Sequence, residues 1–111
     1  MAGHPNANVA LATGKPSNIV VLDIDGNEGN NSLMYLLGKY GDWEPTVSSG
    51  TGKGYHYFFK APPGGLKNSV SSIAPSIDIR GDGGYVVIPP STHITGYKYK
   101  WINSPDTTII Q

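Results

Sequence analysis

Two carboxylates one residue apart, Asp23 and Asp25, close the apolar run Ile19-Val20-Val21-Leu22. A continuous β-branched run of this kind reads as a central strand buried on both faces. Side chains alternate along a strand, so both carboxylates project from the same face. Like charges held that close repel unless one takes a proton or a cation lies between them. Oxygen ligands of this type suit magnesium or manganese. The same residues also fit a plain turn, with Asp25-Gly26-Asn27 reversing the chain and Asp23 capping it. A second segment, Ile77-Asp78-Ile79-Arg80, alternates apolar and charged residues and sets Asp78 and Arg80 on one face. A third carboxylate beside the first two would complete a site for two divalent ions. Taken alone, that segment is more simply an exposed strand face carrying an ordinary ion pair.

Ser49–Gly54 (SGTGKG) is a glycine-rich turn running into His56. Backbone amides in such a turn can cradle phosphate oxygens, and Lys53 adds charge. It is not a P-loop: Val47 stands where the first glycine belongs, and Gly54 follows the lysine in place of serine or threonine. His56 lies in the aromatic strand Tyr55–Lys60, on the face opposite Tyr55, Tyr57 and Phe59. It is read either as a phosphate ligand or as a half-buried strand histidine. His93, after Pro89-Pro90-Ser91, falls in a loop that could line a site; His4 near the N-terminus carries no role. Trp43, Trp101 and the tyrosines could stack bases, although core packing is their commoner use. Arg80-Gly81-Asp82 and Asn30-Asn31-Ser32 match adhesion and glycosylation patterns and are taken as coincidence.

These residues need elements to position them. Strands are expected at Asn8–Thr13, Ile19–Leu22, Thr46–Ser49, Tyr55–Lys60, Ser76–Arg80, Tyr85–Ile88 and Tyr97–Trp101. Ala61–Leu66 reads as a loop and Gly81–Gly84 as a tight turn. Asn31–Lys39 carries Leu33, Met34, Leu36 and Leu37 at helical spacing, with Ser32 as cap and Gly41-Asp42 as stop. Pro89-Pro90 ends its strand because proline cannot donate to a ladder. One helix among many strands predicts a mostly-β α+β domain, with a mixed or antiparallel sheet.

The 111 residues fit one domain. Absence of cysteine excludes disulfides, zinc ribbons, iron–sulfur clusters and thiol catalysis. No run approaches the roughly 18 apolar residues of a membrane span, and Met1–Gly14 lacks the basic start and apolar block of a signal peptide. The expected setting is a cytoplasm. Eight basic and eight acidic residues give zero net charge, so contact with phosphate backbones would need a local basic patch.

In order along the chain, Asn8–Gly14, then Val20–Asp25, then Ser49-Gly50 through Gly54–Phe58, then Ile77–Gly81 taken together with Gly83–Val87 and Pro89-Pro90-Ser91, resemble the bifunctional DNA primase/polymerase domains. These belong to the archaeo-eukaryotic primase superfamily and occur in plasmid, phage and prophage replication proteins. No single motif is specific, but four in this order are, and they span about Asn8 to Trp101. The resemblance implies that Asp23, Asp25 and Asp78 are catalytic and hold two magnesium or manganese ions. It implies that His56 holds the triphosphate of the incoming nucleotide. Lys53, Arg80, Gly52 and Gly54 are added as phosphate neighbours on charge and position, and Ser91 and His93 as residues near the nucleotide. The family usually places a small residue, often serine, where this chain has Gly54. The family's domain also carries further sequence before the strand matching Asn8–Thr13, so the chain is expected to be an excised core, a minimal variant or a fragment of a larger replication protein, in a bacterial or archaeal host.

The implied partners are nucleoside triphosphates, a single-stranded DNA template and a fused or associated helicase. The expected activity is metal-dependent nucleotidyl transfer. Two other readings stay open. One is a non-catalytic module that binds nucleotide or single strands within a replication complex. The other is a haloacid-dehalogenase-type phosphatase, because Ile19–Gly26 (IVVLDIDG) matches the first motif of those enzymes; it would require a doubly wound α/β fold.

Overall fold

The β-branched run forms the expected central strand, β2 (Ile19–Asp25), in a computed structural model that describes residues 8–92 and 96–111. The preceding strand is β1 (Val9–Ala12). After β2 come helix α1 (Gly26–Tyr40), β3 (Ser48–Gly50), β4 (Gly54–Lys60), β5 (Ser69–Ala74), β6 (Ile77–Arg80), β7 (Tyr85–Ile88), β8 (Ser91–Thr92) and β9 (Lys98–Asn103). Seven strands form one sheet in the order β5-β6-β2-β4-β3-β9-β8, and β1 pairs with β7 in a small second sheet. All the paired strands run antiparallel. The chain is therefore a mostly-β α+β fold, as expected. It does not supply the doubly wound frame that the phosphatase reading requires.

The core divides along the two faces of β2. On one face Val21 packs with Val47, Phe58 and Val86, and the β1–β7 pair covers it with Leu11 and Ile88. On the other, Ile24 and Ile77 meet Leu33 of α1, with Leu22, Leu36, Leu37, Trp43 and Tyr57 around them. Val21, Ile24 and Ile77 are fully buried, and each such side chain contributes roughly 1.5–3 kcal/mol by leaving water. Trp43 edges onto Tyr57 and Phe59, each 5.2 Å away between ring centroids, so it serves the core.

Two local expectations are corrected. The helix begins at Gly26 rather than Asn31, with Asp25 in extended conformation at its N-cap. Ser32 does not cap it; its hydroxyl donates to the Pro75 carbonyl across the fold (2.8 Å). The helix start is fastened from outside, because the Ser76 hydroxyl donates to Glu28 (2.6 Å) and the Ser76 carbonyl accepts from the Asp25 amide (3.0 Å). Strand β5, not expected from its serine-rich sequence, pairs with β6 through the Pro75-Ser76 turn. Among the described residues, no helix is long and apolar enough to cross a membrane.

Candidate active site

Register decides what the acidic strands do. On β2, Asp23 is the cross-strand partner of His56 on β4 and of Asp78 on β6. Opposed residues on antiparallel strands point to the same face. Asp78, Asp23 and His56 therefore form a row across three strands, on the face away from α1. Asp25 follows two residues later on that face, and one oxygen from each of Asp23, Asp25 and Asp78 lies within 4.8 Å of the others. Asp25 opens α1 instead of a plain turn; Asp78 does form the ion pair with Arg80 that the simpler reading expected, but on a buried face beside Asp23 and not an exposed one.

Asp23 and Asp78 are largely buried. Arg80 reaches both of them, 3.4 Å from Asp23 Oδ2 and 3.5 Å from Asp78 Oδ2, with about a third (34%) of its side chain exposed. His56 Nε2 lies 3.3 Å from Asp23 Oδ1. Burial pushes the Asp23 carboxyl up, but the hydrogen bond and charge of His56, then Arg80, outweigh it and hold the group below the usual carboxylate range. Asp25 behaves oppositely. Its partial burial and the charges of Asp23 and Asp78 push its carboxyl up, against smaller opposing effects of Lys53 and His56. The cluster therefore carries more negative charge than its own cations neutralise. Three converging hard oxygens with that excess fit a divalent cation such as magnesium.

His56 is 7% exposed, and its Nδ1 is buried without a hydrogen-bond partner. Its cross-strand neighbour Ser49, also fully buried, has an equally unpartnered hydroxyl. A cleft of about 340 Å³ opens over this row, lined by Asp23, His56, Arg80, Asn68, Tyr99 and the Gly83–Val87 strand start. Sequence reasoning did not single out Asn68. Tyr99 could have been found from its alternation with Trp101 on β9.

The other expected phosphate neighbours lie elsewhere. Gly52, Lys53 and Gly54 line a second cleft of about 480 Å³, with Asn27 and Asn30 of α1, Tyr55, Tyr97 and Lys100. Gly54 is the cross-strand partner of Asp25, and a Cβ at Gly54 would overlap the Ile24 carbonyl oxygen. A side chain there would have to displace the Ile24 backbone. Ser91 is not brought to either cleft. Its buried hydroxyl donates to the Ile88 carbonyl (2.6 Å) and accepts from the Val9 amide (2.8 Å), tying β1 to the end of β7. His93 and His4 lie outside the described residues.

No curated protein and no solved structure gives a significant match. The family model described as bifunctional DNA primase/polymerase, N-terminal, matches residues 1–110. With the acidic cluster and its flanking histidine in place, the chain belongs to the bifunctional DNA primase/polymerase N-terminal family.

Proposed function

We propose that the chain is the catalytic core of a DNA primase/polymerase and joins nucleotides by metal-dependent nucleotidyl transfer. The observation that carries this reading is the row Asp78–Asp23–His56, with Asp25 beside it, at the mouth of an open cleft. Asp23, Asp25 and Asp78 would hold two magnesium or manganese ions. Bound there, such ions supply Lewis-acid activation of a 3′-hydroxyl and neutralise charge on the departing pyrophosphate.

The chain's own groups do the positioning. Asp23 stays ionised because His56 and Arg80 favour its charged form. His56 meets Asp23 through Nε2, and its ring would form one wall of the phosphate pocket. Arg80, partly exposed on a long stem, can turn from the two carboxylates to an anionic phosphate entering the same cleft. Specificity for the incoming base would come from pairing with a template strand, so the protein need not read base edges.

The test is primer extension on a primed single-stranded template in magnesium and in manganese. Wild type is expected to extend the primer. Asp23→Asn is expected to abolish extension while retaining a native circular-dichroism spectrum. Equal activity in that variant would overturn the assignment. Metal-dependent nucleotide binding without turnover, even in manganese, would instead support the non-catalytic module.

A further inference from the structure

Asn68, just before β5, lines the acidic cleft together with Asp23, His56 and Arg80. Nucleotidyl transfer by the metal cluster and the histidine row gives it no part. Its position is nevertheless closely specified. The segment that leads to it is fastened to the Gly81–Gly84 turn that follows Arg80. The Asp82 amide donates to the Leu66 carbonyl (2.7 Å), and Lys67 bridges to Asp82 in parallel. A Cβ at Gly81 would overlap that same Leu66 carbonyl oxygen. The buried Gly81 amide then donates to Asn68 Oδ1 (2.7 Å). A Cβ at Gly84 would run into the Asn68 side-chain amide. Two glycines of one turn thus leave room, one for the segment and one for the head group it carries.

The bond from Gly81 also settles which end of the amide is which. A backbone N–H can donate only to the oxygen, so Oδ1 is occupied by the turn. What Asn68 has left to offer a ligand is its NH2, with two donors. Among the described residues no group accepts a hydrogen bond from it, and the residue is exposed. The neighbouring donor, Arg80, is engaged by two carboxylates. Asn68 is the neutral donor of the same cleft, and its oxygen is already pinned. A donor fixed in this way needs no reorganisation when an acceptor arrives.

We propose that Asn68 is a substrate-binding residue, whose NH2 donates to an oxygen of the nucleotide held in the acidic cleft. The Gly81 amide and the missing side chain of Gly84 hold it in place for that contact. The acceptor is a phosphate oxygen or a sugar oxygen, and experiment separates the two. The proposal rests on the polymerase reading for the identity of the ligand.

The experiment is isothermal titration calorimetry of the full chain in manganese, with a deoxynucleoside triphosphate and separately with inorganic triphosphate. Asn68→Ala removes donor and acceptor together. Asn68→Asp keeps the acceptor for Gly81 and loses both donors; its added charge is controlled by Asn68→Ala, which brings none. Both variants should bind the deoxynucleotide more weakly. Only Asn68→Ala should also melt below wild type, because it leaves the buried Gly81 amide without a partner. A phosphate acceptor predicts a loss of roughly 10- to 150-fold that inorganic triphosphate shares. A sugar acceptor predicts a loss of roughly 2- to 10-fold with the deoxynucleotide alone. Wild-type affinity in either variant would overturn the proposal: in Asn68→Ala it would mean no contact, and in Asn68→Asp that only the bond to Gly81 matters. Gly84→Ala should weaken binding in the wild-type background and add nothing to Asn68→Ala. An equal loss in both backgrounds would show that the glycine does not act through the amide, and would overturn the proposal too. No deoxynucleotide binding by wild type would overturn it together with the polymerase reading. Binding that needs Asn68, without primer extension, would support it and count against catalysis alone.

Discussion

Replacing Asp25 by asparagine should stabilise the metal-free protein while removing its response to metal. One carboxylate oxygen from each of Asp23, Asp25 and Asp78 lies within 4.8 Å of the others. At that distance one like-charge contact costs about 3 kcal/mol at an effective dielectric constant of about 20, and about 1 kcal/mol in bulk water. Asp25 is partly solvated, so the lower figure applies, giving about 2 kcal/mol for its two neighbours. Lys53 and the helix N-terminus favour the charge and return about 1 kcal/mol. Asparagine caps a helix as well as aspartate does. The net expectation is a gain of about 1 kcal/mol, or roughly 4 °C in Tm for a domain of this size.

The assay is thermal unfolding of both proteins at low ionic strength, first with a chelator and then with 10 mM magnesium. Added sodium chloride should shrink the chelator-state gap, because screening weakens the repulsion. The pH dependence has a fixed sign. The folded carboxyl of Asp25 is raised, so its neutral form is favoured; the gap should open as pH rises through that raised value and close in acid. Magnesium binding only the folded state, with a Kd of about 1 mM, would raise wild-type stability by about 1.4 kcal/mol at 10 mM. Asp25→Asn should show much less of that rise. A variant that melts at or below wild type in chelator, or that gains as much from magnesium, would refute the account of the cluster.

Three further outcomes follow from the same geometry. Asp23 is held below its ordinary value of 3.8, so its contribution to stability is complete above that pH and lost as pH falls through the lowered value; urea unfolding between pH 2 and 6 should show an acid limb that Asp23→Asn flattens. Gly54→Ala would force a Cβ into the Ile24 carbonyl, costing about 3 kcal/mol or more and opening the Asp25–Gly54 pairing, read by chemical denaturation. Arg80→Met removes the cation shared by Asp23 and Asp78, so Tm in chelator should fall by the equivalent of about 1 kcal/mol. Magnesium should narrow that deficit, and a deficit unaffected by magnesium would show that Arg80 matters only for packing.

Periodicity told which side chains share a face of one strand, and for that reason Asp23 with Asp25, Asp78 with Arg80, and His56 were all legible. It could not tell which strands lie side by side. The convergence of Asp78, Asp23 and His56 comes from β6 and β4 flanking β2 in a register that a single-residue slip would destroy. The helix start was illegible for a different reason. Gly26-Asn27-Glu28-Gly29-Asn30 has poor helix propensity, and it is helical because Gly29 packs where a Cβ would lie 2.8 Å from the Ser76 carbonyl. Tertiary contact overrode local preference there, and it also set Asn27 and Asn30 on the wall of the second cleft. The glycine turn misled in the most instructive way. Its composition suggests a phosphate cradle, yet Gly50 and Gly52 also make room for Tyr97, some 45 residues later in the chain, and Gly52 holds a positive φ of 87° besides. Lys53 lines the same cleft as that ring and not the His56 cleft. The one expected site divides into two clefts, one beside the acidic cluster and one lined by Lys53 and Lys100, and Gly54 of the second is the cross-strand partner of Asp25.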